Sequence, residues 1–311
     1  MIKRPTLLIV MCVLIFSGCS RQEYLSNSLV QNTNNSIYDY NMKRDLLCLM
    51  IAYPNFIIDV EQNNGKVYIK LKSGMKVLYD DKKQKNFSSK LQNPDIQDMM
   101  EQPYPLGKVN KLMDENFDPG RIRVYPILKE VYGSNKSAIE SNLSQVSIGY
   151  KRYAFNNTNN AAKELKAAIE ELNVLSRNNW KISTNIAPSS GTYNYRYISG
   201  TGRLSPHAFG IAVDLKRDNR DYWKWATKEQ GEERIKEYPV EIVNVFEKHN
   251  FVWGGKWSHF DILHFEYRPE IILKARYFGK EIDTSKSWYD GVELNKEKNR
   301  EYIQLIEKAI E

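Results

Sequence analysis

Four histidines occur in the 311 residues, and two of them, His207 and His264, sit in segments that also carry carboxylates. The first segment reads Ser205-Pro206-His207-Ala208-Phe209-Gly210-Ile211-Ala212-Val213-Asp214, and the second Asp261-Ile262-Leu263-His264-Phe265-Glu266. Two His and one Asp can hold a zinc ion at three corners and leave the fourth for water. A further carboxylate can then act as the base that such a water needs. Ile211-Ala212-Val213 is a β-prone apolar run, so His207 and Asp214 can converge on one ion if the loop between them curls back. Taken alone, that spacing equally describes a packed histidine and a turn aspartate. The second segment adds Asp261, which can present a carboxylate beside a ligand without itself ligating, and Glu266, which shares the strand face of His264 and can orient its imidazole. Trp253-Gly254-Gly255-Lys256-Trp257 supplies tight backbone and apolar walls for a cleft. Trp253 is expected to line that cleft and Trp257 to pack in the core.

The elements that must position these groups are legible in part. Ile57 to Val60, the turn Asn63-Asn64-Gly65, and Val67, Ile69 and Leu71 alternating with polar residues predict a hairpin. Residues 80–133 are punctuated by five prolines, with a turn at Asp118-Pro119-Gly120, and are expected to wrap over the body. Ala161, Leu165, Ala168, Ile169, Leu172 and Leu175 share one helical face after Asn159. Ile182 and Ile186 after Trp180 suggest a strand running toward the site. Pro239 opens a helix through Ile242, Val243 and Phe246 that stops near His249-Asn250, with His249 at the surface. A last helix is expected over about 295–310.

Hydrophobic residues at 41% and charged residues at 27% describe an ordinary globular chain rather than a disordered one. Met1-Ile2-Lys3-Arg4 is a basic start, and the apolar run from Thr6 to Phe16 is too short to span a bilayer but suits a secretory signal. Ser17-Gly18-Cys19 after that run resembles a bacterial lipobox, which makes residues 1–18 a signal peptide, Cys19 a lipidated N-terminus and 19–45 a tether. Removal of Lys3 and Arg4 lowers the net charge from +7 to +5. No basic run with interleaved aromatics accompanies that excess, so no nucleic-acid partner is expected. Of three cysteines only Cys48 remains in the body, within Leu46-Leu47-Cys48-Leu49-Met50-Ile51, where it reads as a small buried hydrophobe.

The pattern S-x-H-x-x-G-x-A-x-D, then W-G-G-x-W, then D-x-x-H-F-E resembles a bacterial cell-wall zinc peptidase family. That family contains D-alanyl-D-alanine carboxypeptidases and dipeptidases and L-alanyl-D-glutamate endopeptidases. The resemblance covers about 192–269 and implies an α+β fold of the hedgehog/DD-peptidase type, an antiparallel sheet flanked by helices. Residues 46–135 would be an N-terminal β-containing extension, 136–280 the peptidase domain and 281–311 a C-terminal helical segment. Carried over, the resemblance makes His207, Asp214 and His264 the Zn2+ ligands and Asp261 the base. It also implies an upstream arginine for the substrate carboxylate or oxyanion, which Arg196 or Arg203 can supply, and it has Ser205 line the site. An Asp base is associated more with the L-alanyl-D-glutamate branch. The implied substrates are peptidoglycan stem peptides, met at the outer face of the bacterial membrane through the lipid anchor. Two other readings remain at this point: a lipoprotein that binds wall peptide without turnover, and a structural lipoprotein.

Overall fold

The computed structural model describes residues 17–310, with side chains from residue 35 onward. The basic start, the apolar run and the side chain of Cys19 lie outside the described residues. The chain forms two compact units, Met1–Asn41 and Met42–Glu311. Helix α1 (Ser17–Ala52) occupies the stretch expected to be an irregular tether. Its Asn- and Ser-rich residues show no amphipathic stripe, yet residues 19–52 contain no Gly or Pro to break a helix. From Met42 on, Leu46, Leu47, Cys48, Leu49 and Met50 are all buried, as in a helix surrounded by protein. The Cys48 thiol is free, and burial pushes its pKa up, in keeping with a packing role. No helix among the described residues is long and apolar enough to cross a membrane.

Strands β1 (Ile57–Asn63) and β2 (Lys66–Leu71) form the predicted hairpin about Asn64-Gly65, and β3 (Lys76–Leu78) adds a third antiparallel strand. Short helices α2 (Phe87–Gln92), α3 (Ile96–Met100), α4 (Tyr125–Tyr132) and α5 (Lys136–Glu140) interrupt otherwise irregular chain. A second hairpin, β4 (Leu143–Ile148) and β5 (Lys151–Asn156), leads to α6 (Ala161–Ser176), whose apolar stripe is buried as predicted apart from Leu175. The segment after Trp180 is a helix, α7 (Trp180–Ile186), and not a strand. Ile182 and Ile186 are four residues apart, which is the helical period, and Asn179 caps the first turn by accepting from the Lys181 N–H.

The sheet that matters for the site contains β6 (Ala212–Asp214), β7 (Phe251–Trp253) and β8 (His264–Tyr267), antiparallel in the order β6-β8-β7. Between β6 and β7 lie α8 (Lys228–Glu237) and α9 (Val240–Lys248); α9 packs on β7 and against α6. His249 ends α9 as expected but is half-buried, with its Nδ1 2.7 Å from Glu164. Helices α10 (Pro269–Phe278) and α11 (Glu297–Ala309) complete the chain. The architecture is α+β with small antiparallel sheets. Residues 46–135 belong to the same compact unit as the sheet. Tyr53 donates to Glu270 at 2.7 Å, and Arg123 forms a buried ion pair with Glu266.

Candidate active site

Strand pairing does the first positioning step. In the β6–β8 register Asp214 stands opposite His264, so an aspartate and a histidine fifty residues apart meet by backbone hydrogen bonding alone. His207 arrives from a 3-10 turn, Pro206–Phe209, whose cap is Ser205: its hydroxyl accepts from the His207 N–H at 3.3 Å. His207 donates from Nδ1 to the Thr192 carbonyl at 2.6 Å, which leaves Nε2 as the free lone pair. That Nε2 is 3.2 Å from His264 Nδ1 and 3.2 Å from Asp214 Oδ1, and His264 Nδ1 is 2.9 Å from the same oxygen.

The far side of His264 is equally defined. Its Nε2 faces Glu266 at 3.8 Å, and Glu266 is fully buried against Arg123, whose Nε lies 2.7 Å from Oε1. Burial alone would raise the Glu266 pKa, but the Arg123 guanidinium outweighs it and holds the carboxyl well below the usual range. Burial pushes the His264 pKa down, yet hydrogen bonding to Asp214 and Glu266 prevails and lifts it to about 10.

The three facing atoms fit a zinc ion. Tetrahedral ligands at 2.0–2.1 Å from zinc lie roughly 3.3 Å from one another, and the observed edges are 2.9, 3.2 and 3.2 Å. Two imidazole lone pairs and one carboxylate oxygen are also the donor types that zinc prefers. Among the described residues the other acidic cluster is Asp80, Asp81 and Asp95, of which Asp81 and Asp95 already hold the Lys85 ammonium and Asp80 pairs with Lys82.

Asp261 stands apart from that triangle but lines the same cavity, of about 340 Å³. Burial pushes its pKa up to about 7, with Asp214 and Asp221 adding and His264 opposing. Its position depends on Gly254. The Asp261 N–H donates to the Gly254 carbonyl at 3.0 Å, and a Cβ at Gly254 would come within 2.4 Å of the Asp261 carbonyl. Only glycine permits that approach.

The match to a known family falls on this segment. The family model described as D-alanyl-D-alanine carboxypeptidase matches residues 199–267. The resemblance to the D-alanyl-D-alanine carboxypeptidase family is thus shown over that span. No curated protein and no solved structure matches the chain. All three triangle residues, Ser205, Asp261 and Glu266 lie within the matched span, while Arg196 lies just before it.

The remaining sequence-derived residues divide. Arg196 lines the cavity and carries no ion pair to another described residue. Arg203 does not line it; its guanidinium turns away to the Leu91 carbonyl. Trp253 is a correction. It is 2% exposed, stacks on Tyr238 and Phe265, and donates from its indole to the Ile262 carbonyl at 2.7 Å, because the inward face of β7 points it into the core. Trp257, expected as core, is buried and also forms cavity wall, with its indole donating to Pro119 at 2.8 Å. Sequence reasoning missed Arg121, Arg123, His259 and the Tyr222-Trp223 pair, all of which line the cavity. Arg-x-Arg directly after the Asp118-Pro119-Gly120 turn was the available signal for the two arginines.

Proposed function

We propose that this chain is a zinc-dependent peptidase that hydrolyses stem peptides of bacterial peptidoglycan, on a hedgehog/DD-peptidase-type fold. The family match supports a peptidase acting on cell-wall peptides. The observation that carries the finer reading is the triangle of lone pairs from His207, Asp214 and His264 beside a carboxyl held near neutrality. In this reading those three residues hold the ion. When bound there, zinc supplies Lewis acidity, acidifying water and polarising a peptide carbonyl.

The chain's own residues do the rest. Asp261 accepts the proton that water loses as its oxygen attacks the carbonyl carbon. The same carboxyl then gives that proton to the amide nitrogen as the C–N bond breaks. Burial raises its pKa, which favours taking up the proton. Arg196 binds the substrate carboxylate or steadies the developing oxyanion. Glu266, clamped by Arg123, keeps the His264 ring turned so that Nδ1 faces the ion. Ser205 fixes the turn that aims His207.

The leader supports an exported, lipid-anchored protein facing its substrate outside the membrane, with Cys19 as the acylated residue. Metabolic labelling with radioactive palmitate checks this: label on the chain that disappears in Cys19→Ala is expected. For the activity, the purified chain is incubated with defined muropeptides, with and without a chelator, and the products are weighed by mass spectrometry. Loss of one D-Ala identifies a carboxypeptidase, and cleavage after L-Ala an endopeptidase. Absence of any chelator-sensitive product overturns the peptidase reading.

A further inference from the structure

The cavity has a wall that the matched segment does not build. Asp118-Pro119-Gly120-Arg121 forms a turn closed by the Arg121 N–H to the Asp118 carbonyl at 3.0 Å, with Gly120 at φ +82. Three neighbours clamp this turn and the residues beside it. Trp257 donates to Pro119 at 2.8 Å and Ser258 to Phe117 at 2.9 Å, while Arg268 reaches the Gly120 and Ile122 carbonyls. The turn is therefore rigid where it meets the site.

Asp118 organises what the turn presents. Its side chain is fully buried and accepts from the His259 backbone at 3.0 Å, His259 Nδ1 at 2.7 Å and Arg121 Nη1 at 2.6 Å. His259 is itself held, stacked on Phe87 and edge-on to Trp223. Arg121 thus has one guanidinium nitrogen spent on Asp118 and the rest without a partner among the described residues, on a side chain that lines the cavity. Arg121, Arg196, Tyr222 and Asp261 all line that one space. Arg123, by contrast, uses its Nε and both terminal nitrogens on Glu266 and the Arg121 carbonyl. Two guanidiniums, Arg121 and Arg196, are left for substrate.

We propose that Arg121 is a second carboxylate anchor in this cleft, so that the preferred substrate is a peptide bearing a free carboxylate beside the scissile bond in addition to the one that Arg196 takes. This rests on the peptidase reading above. A preformed guanidinium fork selects a planar carboxylate over its uncharged carboxamide, because the amide leaves donors unpaired in a partly dry site.

The test uses two stem-type peptides identical except that the side carboxylate of one is a carboxamide in the other. Wild-type protein should prefer the acid by roughly 10- to 100-fold in kcat/KM. Arg121→Gln should bring that ratio close to one while still cleaving the amide peptide, and Arg121→Lys should recover part of the preference. Thermal melting of each variant separates folding from selectivity. A wild-type protein indifferent to the carboxylate overturns the proposal, as does an Arg121→Gln variant that loses both substrates equally. If neither peptide is cleaved, the peptidase reading fails instead. Calorimetric titration of the same pair then reads the same ratio as affinity, and equal affinities overturn the proposal.

Discussion

Two regions build this cleft, and they contribute different things. Residues 199–267 bring the three residues that we propose hold the ion, and Asp261, each placed by backbone: a strand register, a capped 3-10 turn and a glycine contact. Residues 118–123 bring no ligand. They bring buried ion pairs, Arg123 onto Glu266 and Asp118 onto His259, which aim groups that belong to the first region, and Asp118 also holds their own Arg121. The chemistry is carried where the motif is, while orientation and selectivity are carried by a segment that has no motif of its own.

Breaking the ligand side should cost most. His264→Ala is expected to lose both zinc and turnover, read by metal analysis and by muropeptide cleavage. Asp261→Ala should keep the metal and lose about 10²- to 10⁴-fold in kcat; full activity would remove Asp261 from the mechanism.

On the other side, Arg123→Ala removes the hydrogen-bonded partner of the buried Glu266 carboxylate and leaves it only the Arg268 guanidinium at 3.5 Å. It should destabilise by about 3–5 kcal/mol and weaken zinc affinity by roughly 10- to 100-fold. Arg123→Ala with unchanged melting and unchanged metal binding would mean that the two regions do not cooperate as described.

Trp253→Phe sharpens the contrast between wall and core. It keeps most of the packing but leaves the Ile262 carbonyl unpaired, so chemical denaturation should show a loss of about 1–3 kcal/mol with KM unchanged. A raised KM would return Trp253 to the cleft.

The smallest effect concerns Asp81, which does not line the cavity. Burial raises the Asp81 pKa, but the Lys83 N–H and the Lys85 ammonium outweigh it and hold the carboxyl at about 2. A group with a lowered folded-state pKa stabilises above its unfolded value near 4, and that contribution is lost as pH falls toward 2. Asp81→Asn should flatten the acid limb of the melting curve across that window, with activity at neutral pH unchanged.

Much of the ligand-bearing region could be read without coordinates. His207, Asp214, Asp261, His264 and Glu266 stand close together in sequence, and their residue types limit what they can do together. Hairpin β1–β2 and helices α6 and α9 were equally visible, because their apolar periods and turn residues are local signals. Helix α7 was misread because two isoleucines in seven residues are too few to separate a period of four from an extended run. Trp253 was misread because tryptophan serves as wall and as core alike, and burial decides between them.

What the sequence alone determined is the set of candidate donors, the carboxylates beside them and the glycines that let the backbone close in. The tertiary structure decided which arginine faces the cleft, that Glu266 is answered by Arg123 across 143 residues, and that a proline-broken stretch supplies a wall of the site. Those facts rest on contacts between distant segments, and residue type and spacing carry no record of which distant partner a side chain will meet.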